Sequence, residues 1–267
     1  MLEALANLTD IPMAPLPEPE PEPEVLTRWL GRVPFTEAYA LQNALVEEIR
    51  AGRKPEQFLL LEHEPVYTIG RTRDQSSLGE TAHLPHPLEV INRGGQATYH
   101  GPGQLVGYAL LDLDWPGRGR DLHLHLRRLE DLVMLVMAEF GVHGQRREGL
   151  TGVWVEDRKI CSIGVGVRKW VSMHGIGLNV GPDLGGFMAI TPCGIGGVRM
   201  TSLSLELGRE LAVKEVAEVM AALCEHFFLG SHGTRDQEDA RNHALQVLEA
   251  GIRLSGNPLS RDEAHAR

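Results

Sequence analysis

"TGVWVEDRKICSIGVGVRKWVSMHGIGLNV", residues 151–180, sets valine and isoleucine in alternation with small or polar residues and is broken by "EDRK" and by glycines. Period-two alternation with turn residues between the runs is the mark of antiparallel strands joined by hairpins. Upstream, "HLRRLEDLVMLVMAEFG" (125–141) repeats its apolar residues at helical spacing and stops at Gly141; downstream, "VKEVAEVMAALCEHFFLG" (213–230) predicts another helix. Nearer the N-terminus, Ala38, Leu41, Leu45 and Ile49 predict a helix over 37–51, with Thr36 as N-cap and Gly52 as stop. "QFLLLEHEP" and "VYTIG" read as two short strands broken at Pro65, and "LEVINRGG" and "QLVGYALLDLD" as strands around a glycine-rich turn. Strands and helices interleave without the regular strand-helix-strand rhythm of a parallel doubly wound fold. The fold class is therefore mixed α/β (α+β).

Bulk properties bound the rest. With 267 residues, 42% apolar and 23% charged, the chain buries a sizeable core as one large domain or two small ones. A net charge of −10 argues against a general nucleic-acid binder, because affinity for phosphate backbones comes from lysine and arginine. Residues 1–30 hold six acids against Arg28, so the core is only mildly acidic. "PLPEPEPEPE" (15–24) alternates proline with like charge, which favours extended polyproline II and offers nothing to bury. The expected organisation is a flexible tail over 1–29, a single catalytic domain over 30–230 and a polar, partly helical extension over 231–267. No internal repeat is present. No apolar run approaches the ~18 residues that cross a bilayer, and the start has neither a basic region nor a long apolar one. Cys161, Cys193 and Cys224 form no C-x-x-C, so free thiols in the cytoplasm are expected.

Common cofactor signatures are missing. "GPGQLVG" and "GIGLNVG" each place the third glycine one residue too late for G-x-G-x-x-G, and there is no phosphate-binding G-x-x-x-x-G-K-[ST]. His123 and His125 lie in "HLHL" with no further ligand cluster, so they read as a solvated face at a helix start and no metal is expected. The densest glycine region is "INRGGQATYHGPGQLVGY" (91–108), where glycines let a ligand lie against the chain while Arg93 and His100 supply donors. It reads as a substrate-cradling loop, more than a turn requires. "ITPCGIGG" (190–197) leaves Cys193 open to close approach, yet no histidine, lysine or arginine lies within five residues to ionise it. Lys159 opens a predicted strand, a position that is ordinarily solvated. Cys161 and Cys224 read as core residues.

"RGGQATYHGPGQLVGY", "RKICSIGVGV", "MHGIGLNV" and "TPCGIGG", in this order and spacing, resemble the octanoyltransferase, or lipoyl(octanoyl) transferase, family over about residues 30–230. The resemblance implies a mixed β-sheet with flanking helices, similar to the catalytic domains of biotin and lipoate protein ligases. It implies transfer of an octanoyl group from octanoyl-acyl carrier protein to a lysine of lipoyl domains, those of 2-oxoacid dehydrogenase complexes and the glycine cleavage H protein, through a cysteine thioester and with no cofactor. The family's cysteine falls on Cys193 and its activating lysine on Lys159. Substrate contacts carry over to Arg93, Gly94, Gly95, Gln96, Ala97, Thr98, Tyr99 and His100, to Ser162, Ile163 and Gly164, and to Gly175, Ile176 and Gly177.

Chemistry supports that assignment. A thiol of pKa about 8.5 is mostly protonated at neutral pH, and a nearby ammonium favours the attacking thiolate. Once the thiolate is consumed, the lysine loses its proton more readily and can serve as base for the acceptor amine. Backbone N–H groups around Cys193 and Gly194, or of Ser162 to Gly164, are candidate oxyanion donors on the resemblance. His100 either orients the thioester carbonyl or pins the loop. Arg146, Arg147, Arg158, Lys159, Arg168 and Lys169 outnumber nearby acids and are expected to attract an acidic carrier. Two other readings compete: an ATP-dependent lipoate- or biotin-protein ligase, whose Arg-Gly-Gly loop is matched only in its first part, and a non-catalytic acyl-carrier binding module in which Cys193 is structural.

Overall fold

The computed structural model describes residues 23–79, 81–116 and 118–227. Most of the Pro-Glu tail and the extension over 231–267 lie outside the described residues. In chain order the elements are β1 (Val25–Val33), α1 (Phe35–Arg50), β2 (Glu56–His63), β3 (Val66–Ile69), β4 (Leu88–Val90), β5 (Thr98–His100) and β6 (Gln104–Leu110). There follow α2 (Leu122–Glu139), β7 (Gln145–Arg147), β8 (Leu150–Val155), β9 (Arg158–Arg168), β10 (Val171–Asn179), β11 (Arg199–Met200), α3 (Leu203–Leu207) and α4 (Val213–Phe227).

Eight strands form the main sheet, in the order β1-β2-β6-β10-β9-β8-β7, with β11 alongside β9. Pairs β1–β2 and β9–β11 are parallel and the others antiparallel. The hairpin pattern read at 151–180 is thus β8, β9 and β10. Lys169 and Trp170 make the β9–β10 turn with φ of 54° and 64°, the left-handed pair that suits a tight hairpin. β2 reads as a continuous apolar run because both of its faces are covered. Leu59 and Leu61 pack with Ala38, Leu45, Val46 and Ile49 of α1, while Phe58 and Leu60 pack with α2 and α4. Cys161 and Cys224 are buried in that second core, as their neighbours in sequence predict.

Several boundaries differ from the sequence reading. Residues 25–29, assigned to the tail, pair with β2 as the start of β1. Pro34, rather than Thr36, precedes the first turn of α1. Asp121 caps α2, its Oδ1 accepting from the N–H groups of His123 and Leu124 at 2.8 and 3.0 Å. Helical spacing then separates the two histidines: His123 is exposed, whereas His125 is buried, and burial pushes its imidazole down to about 4. The solvated reading of "HLHL" fails for His125.

The break at Pro65 sends β3 into a separate sheet of order β4-β3-β5. Its core is Tyr67, Ile69, Leu78 and Ala97, joined by Phe187 and Ile190 from the segment that precedes Cys193. This sheet returns the glycine-rich loop to the main sheet, where Gly94 N–H donates to the Val165 carbonyl of β9 at 2.9 Å.

Candidate active site

A cavity of about 260 Å³ lies where the glycine loop meets β9 and β10. Arg93, Gly95, Gln96, Thr98 and His100 wall one side; Lys159, Ser162, Ile163 and Gly164 of β9 and Gly175, Ile176 and Gly177 of β10 wall the other. The loop residues Gly94, Ala97 and Tyr99, expected as substrate contacts, do not line it. Strand alternation explains two of them: Ala97 and Tyr99 turn into the small sheet's core while Thr98 and His100 face the cavity. Phe35, Ile91, Tyr108, Gly149 to Thr151, His174 and Ile195 complete the wall and were not singled out from sequence. Tyr108 and His174 did lie inside quoted motifs; what was missing was a reason to look past their glycines.

Lys159 is only 2% exposed, contrary to the solvated reading of a strand start. Its Nζ donates to the Thr151 carbonyl at 3.0 Å and lies 5.4 Å from the centroid of the Trp154 ring. Room for it depends on Gly152, whose φ is +119° and where a Cβ would fall 2.8 Å from Lys159 Cε. Register brings the cysteine segment to the same place: Met200 pairs with Lys159, Thr201 N–H donates to the Lys159 carbonyl at 2.9 Å, and Ile195 reaches the cavity wall. The short 3-10 turn Pro192–Gly194 is tied down by Thr191 N–H to the Ser77 carbonyl at 2.7 Å. The Cys193 side chain lies outside the described atoms. Gly194 N–H is engaged by the Thr191 carbonyl at 2.9 Å, and at φ +68° a Cβ there would meet Gln96 Cγ at 2.9 Å.

Polar groups behind the wall hold one another in fixed states. His100 Nδ1 donates to Gln104 Oε1 at 2.6 Å, and Gln104 Nε2 donates to Asn179 Oδ1 at 3.0 Å. Asn179 Nδ2 donates in turn to the Thr201 carbonyl at 3.0 Å, linking the glycine loop to the segment that follows Cys193. His63 Nδ1 donates to the Val33 carbonyl at 2.8 Å, which leaves Nε2 to accept the Tyr108 hydroxyl at 2.6 Å. Burial pushes His63 down to about 4 and His100 and His174 to about 3, so all three are neutral at pH 7. A neutral, fully bonded His100 pins the loop. Arg93 spans the small sheet, donating to the Thr68 carbonyl and Oγ1 at 2.8 and 3.0 Å.

Among the described residues, two cations and no carboxylate line the cavity. Such a site favours anions, a thiolate or an oxyanion included. Also among the described residues, no group of three metal-ligating side chains occurs and no helix is long and apolar enough to cross a membrane.

Most of the basic residues expected to attract an acidic carrier are engaged in ion pairs. Arg146 is held between Glu130 and Asp131, Arg158 between Glu156 and Glu206, and Arg168 and Lys169 both pair with Glu47. Arg147 lies over the Trp154 ring and Lys159 is buried. Folding brings Glu130 and Asp131 to Arg146, Glu206 to Arg158, and a single Glu47 to both Arg168 and Lys169.

The sheet topology and this cavity define a catalytic domain of the lipoyl protein ligase A/B type, whose family model matches residues 34–227. Solved structures with the same fold include P. falciparum LipL1 in complex with lipoate (TM-score 0.58, 12% identity, 90% of this chain and 67% of that one). Another is lipoate-protein ligase A bound with ATP (TM-score 0.51, 14% identity, 91% of each chain). In sequence the chain is 52% identical over 200 residues to the octanoyltransferase of Syntrophotalea carbinolica, covering 74% of this chain and 90% of that one. It is 49% identical over 214 residues to that of Geotalea uraniireducens, covering 79% and 97%. The chain belongs to the octanoyltransferase family.

Proposed function

We propose that this chain transfers an octanoyl group from octanoyl-acyl carrier protein to a lysine of lipoyl domains, such as those of 2-oxoacid dehydrogenase complexes and the glycine cleavage H protein, through a thioester on Cys193. The observation that carries the reading is a buried lysine, Lys159, in the wall of a cavity that no described carboxylate lines and that Ile195, two residues after Cys193, reaches. The Cys193 thiolate, paired with the Lys159 ammonium, attacks the carrier thioester carbonyl. The carbon–sulfur bond to the carrier breaks, and the Lys159 ammonium returns the proton to the departing carrier thiolate. Neutral Lys159 then takes a proton from the acceptor amine as that nitrogen attacks the enzyme thioester. The amide forms, Cys193 leaves as thiolate, and the cycle closes without ATP. An N–H of the Cys193–Gly194 turn or of Ser162 to Gly164 on the cavity wall would receive the oxyanion. Aliphatic Ile91, Leu150, Ile163, Ile176 and Ile195 offer the acyl chain apolar surface.

The test is incubation with octanoyl-acyl carrier protein, without ATP, followed by intact-mass measurement, hydroxylamine treatment and peptide mapping. A hydroxylamine-labile octanoyl adduct on Cys193 is expected, absent in Cys193→Ser and slowed in Lys159→Ala. A folded protein that binds the carrier yet forms no adduct refutes the covalent mechanism.

A further inference from the structure

Glu130 of α2 is wholly buried and stands outside the cavity. Its two oxygens do different things. Oε2 accepts Arg127 Nη1 at 2.6 Å and Arg146 Nε at 2.7 Å. Oε1 points the other way and accepts the backbone N–H of Gly152, in β8, at 3.0 Å. That N–H belongs to the same peptide group as the Thr151 carbonyl, and the Thr151 carbonyl is the acceptor of Lys159 Nζ at 3.0 Å. Carboxylate, peptide and lysine therefore stand in series: the N–H end of the peptide dipole meets a negative charge and its C=O end meets the lysine. Hydrogen bonds arranged in this way polarise one another, and do so more strongly where the dielectric is low.

We infer that Glu130 is a positioning residue for Lys159, acting through the Thr151–Gly152 peptide. The carboxylate strengthens the carbonyl as an acceptor, holds the lysine against the cavity wall and favours its protonated form. Arg127 and Arg146 hold the Glu130 carboxylate in place, and Arg146 is itself anchored on Asp131 Oδ1 at 2.7 Å. Among the described side chains, the charged and titratable groups around Lys159 are then Glu130, Asp131 and Arg127 from α2, Arg146 and Arg147 from β7, Glu156 and Arg158 at the β8–β9 turn, and Arg93 and His100 in the cavity wall. Of these, Glu130 reaches it through a single peptide group. The inference rests on the reading of Lys159 as the base for the acceptor amine.

The test follows single-turnover transfer from octanoyl-enzyme to a lipoyl-domain acceptor as a function of pH, in the full chain and in Glu130→Gln. Loss of the carboxylate favours the neutral lysine, so the rising limb of the profile moves to lower pH by about 0.5–1 unit, less than for a direct ion pair. The plateau rate falls severalfold as the lysine is held less well. Glu130→Gln with Arg127→Gln, which lessens the buried charge imbalance, shows the same displacement. An unmoved limb in a folded variant overturns the inference, whatever happens to its stability. Wild-type protein supplies a measurement that needs no variant: the Gly152 amide resonance of the acyl-enzyme titrates along with the limb, and a pH-independent Gly152 amide also overturns it. Lys159→Ala separates the two readings. If it transfers normally, the base assignment falls; if it is inactive while the Glu130→Gln limb stays in place, only the role of Glu130 falls.

Discussion

Tyr108 and His63 form one buried unit, in which the tyrosine hydroxyl satisfies a ring nitrogen that has no access to water. Replacing Tyr108 with phenylalanine leaves His63 Nε2 without its donor, so a loss of about 1–3 kcal/mol is expected in denaturant unfolding. Gly152→Ala acts at the lysine itself. Its methyl group would sit 2.8 Å from Lys159 Cε and 2.5 Å from the Cys161 carbonyl at a backbone angle that alanine resists. We expect destabilisation of at least about 1 kcal/mol together with loss of transfer, and unchanged transfer at wild-type rates would show that Lys159 tolerates displacement. Neither Gly152 nor Glu130 stood out in sequence. "LTGVW" reads as ordinary strand, and an acid within "HLRRLEDL" reads as part of a solvated helix face. Their roles come from contacts over 7 and 22 positions along the chain.

At the scale of elements, the start of β2 is fastened to the loop before α2 by a buried ion pair. Glu56 Oε1 accepts Arg118 Nη1 at 2.5 Å and the Asp112 N–H at 2.7 Å. Breaking one half of such a pair strands a charge, so Arg118→Met is expected to cost about 3–5 kcal/mol. Glu56→Gln combined with Arg118→Met restores much of the loss, a difference read from paired denaturation curves. Element identity was largely legible in the sequence: α1, α2 and α4 follow from 3.6-residue spacing, and β8 to β10 from alternation. Element partnership was not. β2 and β3 adjoin in sequence but enter different sheets, and residues 25–29 of β1 were assigned to the tail because the proline-rich prelude masks a strand that only pairing with β2 reveals.

At the scale of the whole molecule, the four buried histidines among the described residues set the acid limit. His63 and His125 titrate near 4 and His100 and His174 near 3 in the folded state, all depressed by burial, against about 6.5 in the unfolded chain. Between those values the unfolded chain binds protons that the folded one refuses. Stability is therefore intact above about pH 6.5 and falls as the pH drops toward 4, by up to ~1.4 kcal/mol per pH unit for each histidine. Burial also pushes the Glu56 and Asp131 carboxyls up, which opposes this trend near the carboxylate range. Thermal unfolding from pH 7.5 to 4.5 checks the sign: a melting temperature that holds or rises on acidification would contradict neutral burial of these rings.

By itself the sequence determined the mixed α/β class, the helices and hairpins, the glycine-loop motif and, through family resemblance, the family; the same resemblance nominated Cys193 and Lys159. These are properties of local spacing and of short ungapped motifs, which survive being read one segment at a time. Tertiary structure alone decided that Lys159 is buried, that Tyr99 faces away from the cavity while His174 faces into it, which carboxylates the basic residues pair with, and that Glu130 reaches the lysine through one peptide group. Each of those outcomes depends on which strands pair and which helix covers them, and the energies concerned, burial and charge pairing, are set by neighbours distant along the chain.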